Sequence, residues 1–222
     1  MKIAFSTLGC PDFNWTDIYS MAKDLGFNGI EVRGLGSEIF AIKAQPFTES
    51  QLPQTIKKLS ELHIEIPCLS SGCCLKFADK AEENYQEVVQ YITLAARLGT
   101  PYIRLLADLE PHPMSEVDDE VVLNALQRLV PVAEEKGVTL LVETNGVYSD
   151  TDRLRKLLDQ VGSDAVAALW DMHHPYRFAG ETPGKTVQNL GAYIKYVHIK
   201  DSVIESGIVK YRLMGAGDLP ID

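Results

Sequence analysis

The sequence predicts an α/β protein of the (β/α)8 TIM barrel class, and two observations carry that prediction. Segments of helical periodicity alternate with seven short strand-like runs, which begin near Lys2, Gly29, Glu65, Tyr102, Val138, Ala165 and Ile194. The starts lie 27 to 37 residues apart, the size of one strand plus its helix. The later runs also end in ionisable residues, and barrels of this class place their chemistry at that end of the strands.

The helical segments follow from the spacing of apolar residues and from the turns that close them. Apolar side chains recur at i, i+3 and i+4 over 82–98 and 121–133, and in shorter form over 152–158. Gly26, Gly99 and Gly137 each follow a helical segment, where a glycine commonly ends a helix. Strict alternation of strand and helix implies a parallel sheet with right-handed crossovers. The first strand runs into 6–10, which is not a glycine-rich phosphate loop, so a barrel is favoured over a doubly wound sheet.

The end of the sequence carries two further expectations. Residues 1–222 are expected to form a single domain with seven strands, because the sequence stops at Asp222, where an eighth βα unit should begin. We therefore expect a barrel that lacks this unit through truncation, unless a neighbouring chain closes it. The stretch from Asp201 to Gly217 alternates apolar and polar residues around Ser206-Gly207, which predicts a small hairpin.

Composition excludes several classes of partner. The net charge is −10 and no Lys/Arg run occurs, which argues against binding nucleic acid. No stretch approaches the roughly 18 apolar residues of a membrane span, and the N-terminus lacks the apolar region of a signal peptide. The four cysteines form no disulfide framework. A cytoplasmic protein that acts on a small molecule is expected.

Three consecutive strand-like runs end in a residue that could bind a divalent metal. These residues are Glu143, Asp171 and His198, and side-chain alternation along each strand turns them inward. Any one of them could be a capping group or a buried hydrogen-bond partner. Two inward carboxylates without a cation would be costly, however. Oxygen and nitrogen donors together suit Mn, Co, Mg or Zn.

Two adjacent histidines follow the sixth run. His174, three residues after Asp171, could reach the same site as a substrate donor or a further ligand, or it could be an exposed loop residue. His173 fits the exposed loop better, since only one of two adjacent side chains can point at the site. Pro175 predicts an extended or turn geometry here.

Two other charged residues are candidates for substrate binding. Lys200 could orient a substrate or pair with Glu143 or Asp171. Glu31 shares an inward face with Arg33, and the two could form either a structural ion pair or substrate contacts.

Together these motifs resemble the xylose isomerase-like TIM barrels over essentially the whole chain. The resemblance lies in the strand-tip Glu143, the Asp-x-x-His run 171–174 and the His-x-Lys-Asp run 198–201. The Gly-Ile-Glu-Val-Arg run 29–33 and the Gly-x-Gly-Asp run 215–218 are similar to the family's second strand and to its segment before the last helix.

The resemblance implies roles for individual residues. Glu143, Asp171 and His198 would bind the metal, Glu143 would also serve as the catalytic acid/base, and His174 and Arg212 would contact the substrate. The family's fourth ligand, a glutamate at the tip of strand eight, has no counterpart within this sequence.

The activity that the resemblance implies is that of a divalent-metal-dependent isomerase or epimerase. Its substrate would be a sugar, a sugar phosphate or a related polyol, and a proton would move through a metal-stabilised enediolate. An inosose-type dehydratase would use the same chemistry with loss of water. A barrel domain that binds a sugar without turnover is the non-catalytic alternative. Barrels of this group are often dimers or tetramers, which implies a homo-oligomer.

Overall fold

The computed structural model describes residues 1–114 and 116–221. Asp222, where the sequence predicts that the barrel is cut short, lies outside them, so the truncation and the single-domain organisation stay predictions. Among the described residues, none of the helices has both the length and the apolar character that crossing a bilayer requires.

Strands and helices alternate as predicted. The strands are β1 (Ala4–Ser6), β2 (Gly29–Glu31), β3 (Cys68–Cys74), β4 (Tyr102–Leu106), β5 (Thr139–Glu143), β6 (Val166–Asp171), β7 (Ile194–His198), β8 (Asp201–Glu205) and β9 (Ile208–Arg212). The α-helices are α1 (Trp15–Asp24), α2 (Leu52–Leu62), α3 (Ala81–Leu98), α4 (Asp119–Lys136), α5 (Thr151–Val161), α6 (His173–Phe178) and α7 (Pro183–Leu190).

The order of the strands in the sheets follows their order in the chain. The largest sheet has five strands in the order β3-β4-β5-β6-β7. The pair β1 and β2 is parallel, and so is the pair β6 and β7, in which Asp171 lies opposite His198. This register brings two of the predicted metal ligands side by side at the ends of neighbouring strands.

The chain folds as two compact units. The first comprises Met1–Cys73, Asp79–Leu105 and Arg128–Leu140, and the second Cys74–Ala78, Leu106–Gln127 and Leu141–Asp222. The core of the first includes Ile18, Ile30, Leu69, Tyr91 and Ile103, and that of the second Val142, Tyr148, Leu154, Leu158 and Leu169. Of the predicted site residues, Glu31 belongs to the first unit and all the others belong to the second.

The predicted hairpin is confirmed. Strands β8 and β9 pair antiparallel, with Glu205 opposite Ile208. Ser206 and Gly207 form the two-residue turn with φ of 52° and 77°. Two central residues with positive φ match the twist of the flanking strands, which is why a glycine is favoured there.

Two expectations about the chain after β6 are wrong. Pro175 does not give an extended or turn geometry, because it lies in the first turn of α6, where a missing N–H leaves no helical hydrogen bond unmade. His173, expected in an exposed loop, is the first residue of that helix and is 0% exposed. The reason is that α6 begins two residues after the end of β6, and both histidines in its first turn are buried.

Candidate metal-binding site

The side chains of Glu143, Asp171 and His198 converge at the ends of β5, β6 and β7. The Oε1 atom of Glu143 lies 3.3 Å from Nδ1 of His198, and that nitrogen lies 3.8 Å from Oδ2 of Asp171. One donor atom from each residue lies within 4.8 Å of the other two. Both carboxylates are buried and His198 is partly exposed, so the group opens to solvent through the imidazole.

This donor set fits a divalent cation. Metal–ligand bonds of about 2.1 Å at tetrahedral angles place neighbouring donor atoms about 3.4 Å apart, and the distances of 3.3 Å and 3.8 Å are close to that value. Two buried carboxylates also require compensating positive charge. The buried Oδ2 atom of Asp171 already has the ammonium of Lys200 at 2.5 Å, which supplies one of the two charges. A cation held by Glu143, Asp171 and His198 would supply the remaining positive charge.

Thr144 fixes the two strand tips that carry the carboxylates. Its hydroxyl accepts a hydrogen bond of 2.9 Å from the backbone N–H of Asp171 and lies 3.2 Å from the carbonyl of the same residue. Because Thr144 directly follows Glu143, these contacts set the position of one carboxylate relative to the other.

His174 is buried beside the group, so the alternative of an exposed loop histidine is wrong. Its Nδ1 lies 3.0 Å from the carbonyl oxygen of Thr144, and a carbonyl can only accept, so Nδ1 carries the hydrogen and Nε2 the lone pair. That Nε2 lies 3.8 Å from Oδ2 of Asp171. Burial lowers the pKa of His174, which keeps the ring neutral near pH 7 and able to accept a hydrogen bond or bind a metal.

Lys200 supplies the positive charge nearest to Asp171. Its Nζ lies 2.5 Å from Oδ2 of Asp171 and 3.2 Å from Nε2 of His174. Burial by itself would lower the pKa of Lys200, but the carboxylates of Asp171 and Glu143 outweigh it and raise that pKa. The ammonium therefore stays charged, and of the pairings considered from the sequence the one with Asp171 is present.

A second layer of contacts supports Asp171 and was not recognised in the sequence. The backbone N–H of His173 donates to Oδ1 of Asp171 at 3.0 Å. The His173 ring lies with Nε2 at 3.0 Å from the hydroxyl of Ser202, which also accepts from Nε of Arg177 at 2.8 Å. Burial lowers the pKa of His173 to about 4, so this ring is neutral. Arg177 also pairs with Asp218.

Another group that the sequence did not identify joins the loops after β4 and β5. Nδ2 of Asn145 donates to the carbonyls of Asp108, Leu109 and Glu110 at 2.8, 3.3 and 3.1 Å. Asp108 is 0% exposed and pairs with Lys76 at 2.7 Å. Asn145 thus holds the loop after β4 against the end of β5. A usable signal was present, because Asp108 closes the fourth apolar run just as Glu143 closes the fifth.

Asp201 holds the predicted Gly-x-Gly bend in place. Its Oδ2 accepts from the backbone N–H groups of Gly215 and Gly217 at 3.0 and 2.8 Å, and its Oδ1 accepts from those of Ser202 and Leu219 at 2.8 and 3.3 Å. Burial raises the pKa of Asp201, but these backbone donors more than compensate and leave it below its usual value. The carboxylate thus stays ionised and keeps the segment ordered.

Two predicted substrate-binding residues lie on other strands, β9 and β2. Arg212 lies on β9 and pairs with Glu205 across the hairpin. Glu31 is buried at the end of β2 in the first unit. Their contacts with a substrate stay predictions, as does the binding of a metal by Glu143, Asp171 and His198.

Comparisons with known proteins identify a family by its model and a fold by solved structures. A model of the xylose isomerase-like TIM barrel family matches residues 20–222. A 3-dehydroshikimate dehydratase of Bacillus anthracis is 23% identical over 191 residues, which are 85% of this chain and 66% of that protein. The chain thus spans slightly less than two thirds of this curated relative.

Solved structures share the fold at low sequence identity. An IolI protein with bound zinc is 18% identical, with a TM-score of 0.77, and the match covers 99% of this chain and 81% of the IolI chain. The 3-keto-D-glucoside 4-epimerase YcjR of E. coli is 15% identical, with a TM-score of 0.77 over 99% of this chain and 84% of the epimerase. These likenesses establish the barrel fold, and they include one barrel that holds a metal.

Proposed function

The chain belongs to the xylose isomerase-like TIM barrel family, and from that premise we propose that it is a divalent-metal-dependent enzyme that moves a proton next to a carbonyl group. Its substrate would be a sugar, a sugar phosphate or a related polyol, and the reaction an isomerisation or epimerisation. The observation that supports this most is the convergence of the Glu143, Asp171 and His198 donor atoms at three consecutive strand ends.

Each residue of the group has a chemical task under this proposal. When bound, the metal would supply the positive charge that makes an enediolate accessible near pH 7. Glu143 would accept the proton and return it, because its carboxylate oxygen lies 3.3 Å from Nδ1 of His198, the partly exposed member of the group. Lys200 would hold a substrate oxygen because its ammonium donates, and His174, whose Nε2 lies 3.2 Å from that ammonium, would contact the substrate beside it.

A dehydratase is the second candidate, and one observation favours it. The curated relative at 23% identity is named for the dehydration of 3-dehydroshikimate. Such a reaction also begins with removal of a proton next to a carbonyl, after which a hydroxyl leaves from the neighbouring carbon. Ketoses, inososes and 3-dehydroshikimate offered side by side would separate the two reactions, because an epimer keeps every oxygen and a dehydrated product has lost one.

The test combines metal content with turnover for two variants. In His198→Ala we expect loss of bound Mn²⁺ or Zn²⁺. In Glu143→Gln, at saturating metal, we expect turnover to fall by about 10² to 10⁴, the usual contribution of a positioned general base. The matched controls are His63→Asn and Glu61→Gln, outside the group and exposed, and both should keep metal and turnover.

The outcomes separate the proposed roles. A folded wild-type protein that binds no divalent metal would refute the metal-dependent enzyme. Metal and sugar binding without turnover on any substrate would favour the non-catalytic, sugar-binding barrel. Full turnover in Glu143→Gln would remove that residue from the proton transfer.

A further inference from the structure

The ammonium of Lys200 lies between two groups that could bind a metal, the carboxylate of Asp171 and the imidazole of His174. Its Nζ lies 2.5 Å from Oδ2 of Asp171 and 3.2 Å from Nε2 of His174. Asp171 is 0% exposed and His174 is 3% exposed. The ammonium thus fills the space between a buried carboxylate oxygen and a buried imidazole nitrogen.

His174 is itself equipped to be a metal ligand. Its Nδ1–H is engaged by the Thr144 carbonyl, so Nε2 carries the lone pair and lies 3.8 Å from Oδ2 of Asp171. The 3.8 Å from this nitrogen to Oδ2 of Asp171 equals the distance from Nδ1 of His198 to the same oxygen. Donor atoms of Asp171, His173 and His174 also lie within 4.8 Å of one another. By distance alone, a cation at Asp171 could use either histidine.

The charge of Lys200 breaks this symmetry. An ammonium at 3.2 Å from Nε2 of His174 occupies the place that a cation would need in order to bind that nitrogen, and two cations at such separation repel strongly in a buried site. On the side of Asp171 that faces His198, the neighbouring charged group is the carboxylate of Glu143. On the side that faces His174, it is the ammonium of Lys200. Positive charge is therefore favoured on the side that faces His198.

We propose that Lys200 keeps His174 out of the metal's coordination sphere by occupying the place beside its Nε2, so that the ion is confined to Glu143, Asp171 and His198. Lys200 is thus a positioning residue that separates the metal-binding face of Asp171 from the substrate-binding face. The inference rests on the proposed function, because it assumes that the group binds a metal.

A double-mutant cycle on metal affinity tests this without any substrate. The dissociation constant for Mn²⁺ or Zn²⁺ is measured by calorimetry for the wild type, Lys200→Met, His174→Leu and the double variant. We expect His174→Leu to leave the wild-type affinity nearly unchanged. We expect Lys200→Met to tighten it by about tenfold or more, because a positive charge beside the site is removed, and His174→Leu to remove most of that gain in the Lys200→Met background.

A spectroscopic measurement and a control variant support the interpretation of the cycle. The visible absorption of bound Co²⁺ should change in Lys200→Met, where a nitrogen ligand is gained, and should keep the wild-type form in His174→Leu. Lys210→Met is the matched control, since Lys210 pairs with Glu205 on the hairpin, and it should alter neither affinity nor spectrum. His174→Leu keeps the bulk of the ring, and His174→Ala is the second variant if the leucine protein does not fold.

Each outcome decides the matter. Equal weakening by His174→Leu in both backgrounds would make His174 a ligand regardless of Lys200 and overturn the inference. No effect in either background would overturn it as well, while leaving the proposed metal enzyme intact. Failure of the wild type to bind any divalent metal would overturn both.

Discussion

His173 and His174 are adjacent in sequence, yet their rings are held by different partners. The ring of His174 donates to the Thr144 carbonyl and directs Nε2 at Asp171, whereas the ring of His173 lies against the hydroxyl of Ser202. Both rings are buried, and burial lowers the pKa of each. At the residue scale, one histidine is thus available for chemistry and the other supports the structure.

The buried His173 should make stability depend on pH. Its pKa falls from 6.5 to about 4 on folding, so between these values the unfolded chain binds a proton that the native protein does not. The free energy of unfolding therefore falls as pH falls below 6.5. In metal-free buffer we expect this group to contribute a loss of about 2 kcal/mol between pH 7 and pH 5.

Denaturant unfolding of His173→Asn at the two pH values checks this. The variant should lose about 2 kcal/mol less than the wild type over the interval. The exposed His63 offers the control His63→Asn, which should keep the wild-type pH dependence. Identical pH dependence in all three proteins would contradict a neutral buried His173.

The sequence predicted which residues would converge, but not how their neighbours would be used. Successive side chains of a strand point to opposite faces of the sheet. This alternation was sufficient to predict that Glu143, Asp171 and His198 share one face. The role of Asn145 could not be predicted in this way. Its amide is engaged by three carbonyls of another loop, and those contacts depend on the path of a segment some 35 residues away in sequence.

At the scale of elements, the loops after β4 and β5 approach so closely that only glycine fits at position 146. Gly146 has φ of +57°, and a Cβ atom there would lie 2.1 Å from Oδ2 of Asp108. Its N–H donates to the carbonyl of Pro111, and that of Val147 donates to Asp108. The chain that follows Glu143 is thus fixed to the loop after β4.

Gly146→Ala should therefore be far more destabilising than another left-handed glycine. Gly180 has φ of +66° with nothing within 4 Å of the added Cβ, so Gly180→Ala should cost only the conformational term of about 1 to 2 kcal/mol. We expect Gly146→Ala to lower the free energy of unfolding by about 3 kcal/mol or more, since overlap with Asp108 adds to it. Urea unfolding of both variants measures the difference, and equal losses would disprove the steric role of Asp108.

The sequence predicted the existence of elements better than their starts. Apolar runs and closing glycines placed β2, β4 and β7 at their observed first residues. The third strand was expected near Glu65 but begins at Cys68, because Glu65 forms only an isolated bridge to Gly29. The short helix α6 was missed, since Pro175 argues against a helix unless its position in the first turn is known.

At the scale of the whole molecule, the strand order was predictable and the assembly was not. Alternating strands and helices imply that successive strands are neighbours, and β3 to β7 follow that order. The expected homo-oligomer stays a prediction, because symmetric contacts leave no periodic pattern in a single sequence.

Metal binding should stabilise the molecule as a whole. A ligand that binds only the folded state at a thousandfold excess over its dissociation constant adds about 4 kcal/mol. For a chain of this length we expect the melting temperature to rise by about 10 °C. Differential scanning calorimetry with Mn²⁺ or Zn²⁺, and again after chelation, measures the shift.

The variant Asp171→Asn should abolish most of this shift, because Oδ2 of Asp171 lies near His174, His198 and Lys200. Asp159→Asn, at an exposed position on α5, should keep it. An unchanged shift in Asp171→Asn would place the metal elsewhere.

The carboxylate of Asp201 closes several loops of the chain at once. It closes three loops onto one residue, to Gly215, Gly217 and Leu219, at separations of 14, 16 and 18 residues. Once the first loop is closed, each further contact restrains just two more residues. The added entropy cost is small, because loop-closure entropy rises only with the logarithm of loop length. The three contacts are therefore expected to form and break as a unit, and the bend behaves as one cooperative segment tied at a single side chain.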